Sequence, residues 1–262
     1  MADFLTAMAE SSRARGVIRR DQAAGPVIPL DLDGGGFDLI AEAKLRGPAS
    51  GRLAADGDDT STVVELARAF ADGGAAVISV LTEPLEFDGS LGHLAAVAAT
   101  VQVPVIRKDF LVDPTQVEEA RDHGASGVLL IARILSPGLL REMVGTAEGL
   151  GMFSLVEVFD QPDLELASEV FDRQVLVGVN SRDLTDLSVD GSRFESLAAM
   201  APDGLTLVAE SGIDSEDDIA RVVSLGYRMA LVGTSLVGVD DPGAEVERLV
   251  AAGRAVAGSR TG

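Results

Sequence analysis

From residue 37 onward the chain repeats one hydrophobic pattern, in which a short apolar run is followed by a loop and then by an amphipathic stretch with helical spacing. Continuous apolar runs such as residues 128–131 and 175–179 are typical of strands buried on both faces of a parallel sheet. The pattern predicts strands at 37–44, 75–81, 103–108, 126–131, 152–157, 175–180, 206–210 and 229–232. It predicts helices at 60–72, 89–100, 113–123, 136–150, 162–169, 191–200, 214–225 and 242–256, with Thr60 or Ser61 as a cap and Pro137 in a first turn.

Eight strands and eight helices in strict alternation favour a (β/α)8 TIM barrel. An open doubly wound sheet usually has fewer units and a G-x-G-x-x-G turn after its first strand, and this chain lacks that turn. We therefore expect residues 37–262 to form a barrel catalytic domain and residues 1–36 to form an N-terminal helical extension. In the extension, Phe4, Leu5 and Met8 recur at helical spacing. Two interpretations stay open, a frayed leader helix and a lid packed over a site.

Composition narrows the classes of function. The 262 residues carry 21 Lys plus Arg against 42 Asp plus Glu, a net charge of −21 that argues against nucleic-acid and membrane partners. Without Cys there are no disulfides or thiolate ligands, and the two histidines, His93 and His123, are expected on helix surfaces rather than in a metal site or a triad. Neither a secretory signal nor a long apolar run is present, so a cytoplasmic location is expected. Oligomeric state is left open, with a monomer as the expectation.

Polar residues collect where the predicted strands end, which is where barrel enzymes carry their chemistry. Six apolar strands end in charged or polar residues, namely Glu42 with Lys44, Lys108, Glu157, Asn180 with Arg182, Glu210 with Ser211, and Gly233 with Thr234. Solvation of strand ends would account for one or two of these. The whole set predicts one shared active site.

The chemistry of that site follows from residue type. Lys108 and Arg107 face opposite ways on a strand, and whichever points inward can donate a proton to a developing oxyanion. Glu157 lies on an apolar stripe, where desolvation would favour its neutral form and suit it to proton exchange near neutral pH. Asn180 can orient a group without titrating.

The last two strand ends predict a phosphate site. The turns Ser211-Gly212 and Gly233-Thr234 fall after strands seven and eight, where barrels commonly present backbone N–H groups to a phosphate.

Several motifs in order resemble those of the indole-3-glycerol phosphate synthase family of tryptophan biosynthesis. They are Ile40-Ala41-Glu42-Ala43-Lys44, Ser79-Val80-Leu81-Thr82-Glu83 with Phe87-Asp88-Gly89-Ser90, Pro104-Val105-Ile106-Arg107-Lys108-Asp109-Phe110, Leu155-Val156-Glu157-Val158, Asn180-Ser181-Arg182-Asp183-Leu184, and Ala209-Glu210-Ser211-Gly212-Ile213. The resemblance implies a cofactor-free lyase that acts on 1-(2-carboxyphenylamino)-1-deoxyribulose 5-phosphate. Ring closure, loss of carbon dioxide and loss of water would give the indole.

The resemblance also implies a role for each matching residue. Lys108 would be the general acid, and Glu157 the proton-transfer partner in dehydration. The substrate's amine and hydroxyl would be held by Glu42 and Asn180, while Lys44 would pair with Glu42 or with the substrate carboxylate, and Glu210 would position its neighbours. For substrate binding, Phe110 and Leu129 would line the aromatic pocket, Pro48 and Phe87 would add contacts, and Arg182, Ser211, Gly212, Gly233 and Thr234 would surround the phosphate.

The chain departs from the family pattern in the loop after the first strand. Gly47-Pro48-Ala49 replaces the usual Ser-Pro-Ser, Ser181 replaces a usual Asn, and Thr234 replaces a common Ser. Two alternatives therefore stay open beside the tryptophan-pathway lyase, a paralogue that acts on a substituted anthranilate in secondary metabolism and a non-catalytic phosphate-ligand binder.

Overall fold

The computed structural model describes residues 4–20, 25–32, 36–47, 51–52, 59–170, 174–183 and 188–260. The barrel strands are β1 (Asp38–Ala43), β2 (Val77–Leu81), β3 (Val105–Lys108), β4 (Gly127–Ile131), β5 (Phe153–Val158), β6 (Val175–Asn180), β7 (Thr206–Glu210) and β8 (Met229–Val232). The helices are α1 (Phe4–Ala14), α2 (Asp59–Asp72), α3 (Leu91–Ala98), α4 (Pro114–Asp122), α5 (Pro137–Gly149), α6 (Gln161–Ser168), α7 (Ser192–Met200), α8 (Glu216–Ser224) and α9 (Pro242–Arg260). A short antiparallel pair, Arg46–Gly47 with Gly51–Arg52, follows β1.

The strands form a closed parallel barrel in which each strand pairs with its sequence neighbours and β1 also pairs with β8. The pairing of Ile40 shows that the barrel is closed, since this β1 residue lies opposite Val77 of β2 on one side and Leu231 of β8 on the other. The predicted (β/α)8 architecture is confirmed. Strands β6, β7 and β8 have the predicted bounds, and the remaining barrel strands and helices lie at their predicted places with small shifts at their ends.

Local chemistry explains where most of the helices begin. The hydroxyl of Ser136 accepts a hydrogen bond from the amide of Leu139, and Pro137 occupies the first turn of α5 as predicted. The capping prediction for α2 was wrong, because the helix already includes Asp59 and so places Thr60 and Ser61 within its first turn. A carboxylate in a first turn is favoured by the helix dipole.

Apolar side chains pack in two layers, one on each face of the sheet. Inside the barrel lies a cluster that includes Ile40, Val77, Ile106, Leu129, Leu155, Leu176, Val208 and Met229. Between the strands and the helices lies a larger cluster that includes Val80, Val128, Val156, Val177 and Ala209. Because both faces are covered, the strands read as continuous apolar runs, and polar residues are left for the strand ends.

The N-terminal helix and the two histidines are both packed against the barrel. Helix α1 buries Met8, Ala9 and Ser12, so the N-terminal helix is packed rather than frayed.

The expectation that His93 and His123 lie on exposed helix surfaces was wrong, since both are buried. They belong to the inner faces of their helix regions, and His123 places its Nδ1 2.8 Å from the carbonyl oxygen of Glu119. No helix within the described ranges combines the length and apolarity needed to span a bilayer.

Candidate active site

A pocket opens at the carboxyl ends of the barrel strands. It is lined by every predicted site residue that the structure describes, namely Glu42, Lys44, Phe87, Lys108, Phe110, Leu129, Glu157, Asn180, Arg182, Glu210, Ser211, Gly212, Gly233 and Thr234. Pro48 and Ala49 lie outside the described residues. Elements that are far apart in sequence therefore contribute to one site, as the barrel geometry requires.

The centre of the pocket is a group of four ionisable side chains, which we call the inner cluster: Lys108, Glu42, Glu157 and Glu210. The Nζ atom of Lys108 lies 3.4 Å from Glu157 Oε2, 3.7 Å from Glu210 Oε2 and 4.0 Å from Glu42 Oε2. Of the two adjacent cations on β3, Lys108 is therefore the one that points into the barrel, and Arg107 points outward. None of its three contacts is short, so the ammonium keeps donors for a further acceptor.

The charges in the inner cluster are set by burial and by each other. Burial opposes the charge on Lys108, but Glu157, Glu210 and Glu42 more than offset it and raise the pKa of the ammonium. Burial likewise opposes ionisation of Glu42, but Lys44 and then Lys108 hold the pKa of its carboxyl below the ordinary value. Lys44 Nζ lies 2.7 Å from Glu42 Oε1. Around neutral pH the cluster therefore contains a protonated Lys108 and an ionised Glu42.

Glu210 differs from the other carboxyl groups. Burial, and next the negative charge of Glu157, raise its pKa well above the ordinary value for a glutamate. Neither of its carboxyl oxygens accepts a hydrogen bond from a residue that the structure describes. In its protonated form it can donate a hydrogen bond to Glu157, which further favours that form. Glu210 is suited to be a neutral acid beside Lys108.

Asn180 connects β5 to β6 across the pocket. Its side-chain amide donates a hydrogen bond to Glu157 Oε1 at 3.0 Å, and its carbonyl oxygen accepts one from the backbone amide of Arg182 at 2.9 Å. These two contacts fix the orientation of both the amide and the Glu157 carboxylate.

The turn after β7 has an unusual backbone. Ser211 and Gly212 have φ angles of +65° and +66°, and a non-glycine residue in this region is uncommon and costs free energy. The hydroxyl of Ser181 donates a hydrogen bond to the carbonyl oxygen of Ser211 at 2.9 Å. Ser181, one of the departures noted in the sequence, therefore supports the turn at which a phosphate is predicted.

Gly233, at the end of β8, lies against the charged pair of β1. A Cβ atom at this position would be 2.6 Å from Glu42 Oε1 and 3.1 Å from Lys44 Nζ. A side chain here would force that pair to move, so the glycine allows the β8 turn to approach the inner cluster.

The opposite end of the pocket is aromatic and apolar. The ring of Phe110 contacts Phe87, with centroids 6.3 Å apart, and meets Phe4 of α1 edge to face at 5.9 Å. Leu129 and Ile131 line the same region. The pocket thus has a charged centre with aromatic rings on one side and polar turns on the other.

Comparisons with known proteins identify the family. A family model described as indole-3-glycerol phosphate synthase matches residues 30–249. The indole-3-glycerol phosphate synthase of Nocardioides sp. is 43% identical over 249 residues, which cover 95% of this chain and 89% of the relative. The chain belongs to the indole-3-glycerol phosphate synthase family. The Mycobacterium tuberculosis enzyme of the same name is 40% identical over 248 residues, covering 93% and 89%.

A solved structure supports the fold independently. The 3-hexulose-6-phosphate synthase of Salmonella typhimurium superposes with a TM-score of 0.64 at 13% identity, over 84% of this chain and 100% of that one. At such low identity the likeness concerns the barrel alone.

Several residues that line the pocket or adjoin it were not among the predicted site residues, and two of them, Phe4 and Gly178, bear on its shape. Phe4 was noted only for its helical spacing, and it lines the pocket. Gly178 in β6 makes room for Glu210, since a Cβ atom there would lie 1.8 Å from Glu210 Oε1. A glycine inside an otherwise apolar strand was the available signal for such a close approach.

Proposed function

We propose that this chain is an indole-3-glycerol phosphate synthase, which converts 1-(2-carboxyphenylamino)-1-deoxyribulose 5-phosphate to indole-3-glycerol phosphate, carbon dioxide and water. Family membership supports the reaction, a carbon–carbon lyase step in tryptophan biosynthesis. The observation that supports the residue roles is the position of Lys108, a charged ammonium between three carboxyl groups at 3.4–4.0 Å.

Ring closure needs an acid at the ketone. The aryl carbon that bears the carboxylate attacks the ketone carbon, and the ketone oxygen gains negative charge as the bond forms. Lys108 donates a proton to that oxygen, so the charge never develops fully. Its loose contacts let it turn to the oxygen without breaking a short ion pair.

Loss of carbon dioxide restores the aromatic ring, and dehydration completes the indole. Glu157 accepts the proton lost from the carbon next to the nitrogen and passes it to the departing hydroxyl group, which leaves as water. Asn180 holds the Glu157 carboxylate in place. Glu210 acts as a neutral neighbour that limits the negative charge around Lys108. No cofactor is proposed, because the bond changes are redox-neutral overall and proton transfer is the only assistance they require.

The two ends of the pocket hold the two ends of the substrate. Phe110, Phe87 and Leu129 contact the anthranilate ring, and Arg182, Ser211, Gly212, Gly233 and Thr234 surround the phosphate. Glu42 and Asn180 hold the amine and the hydroxyl, with Glu42 fixed by Lys44. Holding both ends brings the reacting carbons together, which is worth several orders of magnitude in rate.

Formation of indole fluorescence tests the proposal. Purified protein with excess unsubstituted substrate should give a steady rise in indole emission, and ring-substituted substrates run beside it should turn over more slowly. No indole product from either substrate would refute the proposed function. Faster turnover of a substituted substrate would instead indicate the secondary-metabolism paralogue.

We also propose that the protein acts as a monomer in the cytoplasm on this small phosphorylated molecule, without a nucleic-acid partner. The inner cluster is built from side chains of a single chain, so the proposed chemistry needs no residue from a second copy. Light scattering on the eluting peak of a sizing column tests it, and a mass of twice 27.1 kDa would contradict it.

A further inference from the structure

A second group of buried polar side chains lies on the outer side of β3. It consists of Arg107, Asp109, Thr82 and Glu119, which we call the outer cluster. Arg107 donates to Glu119 Oε2 at 2.7 Å, to the hydroxyl of Thr82 at 3.0 Å and to Asp109 Oδ2 at 3.1 Å. Arg107 and Asp109 flank Lys108 in sequence, and the outer cluster contributes nothing to the roles proposed above.

The carboxylate of Asp109 accepts four hydrogen bonds. Oδ2 accepts from the hydroxyl of Thr82 at 2.7 Å and from Arg107, and Oδ1 accepts from the amide of Phe110 at 2.8 Å and from Arg15 at 2.6 Å. The Asp109 side chain is fully buried. Burial opposes its ionisation, but Arg107 and then Arg15 hold the pKa of the carboxyl below its ordinary value. A buried carboxylate of this kind is stable only while its donors stay in place.

Arg15 comes from outside the barrel, immediately after α1. The same helix end is held by Gln116 of α4, whose side-chain amide donates to the hydroxyl of Ser12 at 3.0 Å. One of the four donors to Asp109 therefore depends on the docking of the N-terminal helix.

The other bonds of Asp109 fix the backbone on both sides of Lys108. Thr82, which binds the Asp109 carboxylate by its hydroxyl, also donates its amide to the carbonyl oxygen of Lys108 at 3.0 Å. Beyond Lys108, the Asp109 carboxylate holds the amide of Phe110. The hydrogen bonds of Asp109 and Thr82 thus hold the backbone around Lys108, and the Asp109 bond to Arg15 also holds the end of α1 against the barrel.

We propose that Arg15 and Asp109 are positioning residues that couple the docking of the N-terminal helix to the placement of Lys108. Arg15 completes the bonding of Asp109, and Asp109 holds the peptide segment that carries the acid. The proposal rests on the proposed function for its kinetic test, and on the contacts alone for its exchange test.

Turnover of Arg15→Ala is the kinetic test. Small displacements of a reacting group cost orders of magnitude in rate, so loss of one of the four donors should lower kcat about tenfold. The inhibition constant of inorganic phosphate should stay within about twofold of wild type, because none of the Asp109 contacts reaches the β7 and β8 turns. A general loss of structure would change both values.

Arg19→Ala is the matched control. Arg19 lies in the same segment and forms ion pairs with Glu118 and Asp122 of α4, but these are exposed and do not contact Asp109. This variant should keep the wild-type kcat.

Asp109→Asn should lower kcat more than Arg15→Ala does. The double variant should have the same kcat as Asp109→Asn alone, because both changes act through one carboxylate.

Hydrogen–deuterium exchange gives a readout that is independent of activity. In Arg15→Ala the amide of Phe110 and the amides of α1 should exchange faster than in wild type, and in Arg19→Ala the Phe110 amide should not. If Asp109→Asn does not fold, these two variants still decide the question. Unchanged kcat and Phe110 exchange in Arg15→Ala, or a phosphate inhibition constant that rises as much as kcat falls, would overturn the proposal. An inactive wild type would count against the proposed function and would leave the exchange test intact.

Discussion

Arg107 and Lys108 are adjacent cations on one strand, and they are bonded in opposite ways. Arg107, outside the barrel, has a side chain 3% exposed, and it donates to four partners at 2.7–3.1 Å. Lys108, inside the barrel, has a side chain 18% exposed, and its nearest carboxylate oxygens lie 3.4–4.0 Å away. The two cations thus share a strand and a sign of charge but differ in how closely hydrogen-bond acceptors surround them.

The difference separates a structural charge from a reactive one. A guanidinium with every strong partner in place cannot move without leaving carboxylates unpaired, so it stabilises the fold. An ammonium with long contacts and an open side toward the pocket can transfer a proton and be restored at low cost. The outer cluster is therefore expected to govern stability, and the inner cluster to govern rate.

Replacing the reactive cation should have the largest effect. Lys108→Met removes the acid, and kcat should fall by about 10² to 10⁴. The unfolding free energy should change much less than in an Arg107 variant, because Glu210 is already neutral and pocket water can solvate the carboxylates of Glu42 and Glu157 that remain. Steady-state indole fluorescence and urea unfolding measure the two values. A kcat within about threefold of wild type would contradict the assignment of the acid.

Replacing the structural cation should mainly cost stability. Arg107→Met leaves Asp109 and Glu119 without their guanidinium, which should lower the unfolding free energy by about 3–5 kcal/mol. Urea titration gives that difference directly. Because Asp109 also holds the segment around Lys108, kcat of the folded fraction should fall too, but by less than in Lys108→Met. A loss of less than about 1 kcal/mol would show that the outer cluster is not a stabilising unit.

The glycine behind Glu210 offers a smaller change within the inner cluster. Gly178→Ala places a Cβ 1.8 Å from the present position of Glu210 Oε1, so the carboxyl must move and kcat should fall about tenfold. Gly145→Ala is the control, since that site in α5 has nothing within 4 Å. The control should keep its activity and gain about 0.5–1 kcal/mol of stability from better helix propensity. Equal activity in both variants would argue against a role for the Glu210 position.

Dependence of stability on pH should differ in sign between Asp109 of the outer cluster and Glu210 of the inner cluster. The pKa of Asp109 is lowered in the folded state, so its contribution is present above the ordinary aspartate pKa and is lost as the pH falls through the folded value. The pKa of Glu210 is raised, so the protein should lose stability as the pH rises above the ordinary glutamate pKa. Urea midpoints from about pH 3 to 8 test this. In a plot of urea midpoint against pH, Asp109→Asn should weaken the dependence at acid pH, and Glu210→Gln should weaken it near neutral pH. Parallel curves for the wild type and both variants would contradict this prediction.

The sequence predicted the barrel well, because its strands are buried on both faces and their apolar runs are bounded by loops. It also predicted that the polar residues at the strand ends would share one pocket, since packing alone rarely places a charge at the end of an apolar strand. It could not decide between Arg107 and Lys108. Alternation places two such residues on opposite faces without saying which face is inside.

Features that depend on distant pairs were not visible in the sequence. Arg15 and Asp109 are 94 positions apart, and nothing local in either residue indicates the other. The surface assignment of His93 and His123 failed for a related reason, because the inner face of a helix is known only once its packing partner is known. The Pro48 and Ala49 predictions lie outside the described residues and stay predictions.

Side-by-side turnover of folded Lys108→Met and Arg107→Met tests the central claim most directly, with kcat at saturating substrate measured without urea at a temperature where both proteins are shown to be folded. We predict that Lys108→Met keeps its fold and loses about 10² or more of kcat, while Arg107→Met loses about 3–5 kcal/mol of stability and only about tenfold of kcat, as expected for loss of one donor to Asp109. The opposite pattern, an active Lys108→Met beside a stable and inactive Arg107→Met, would contradict the account.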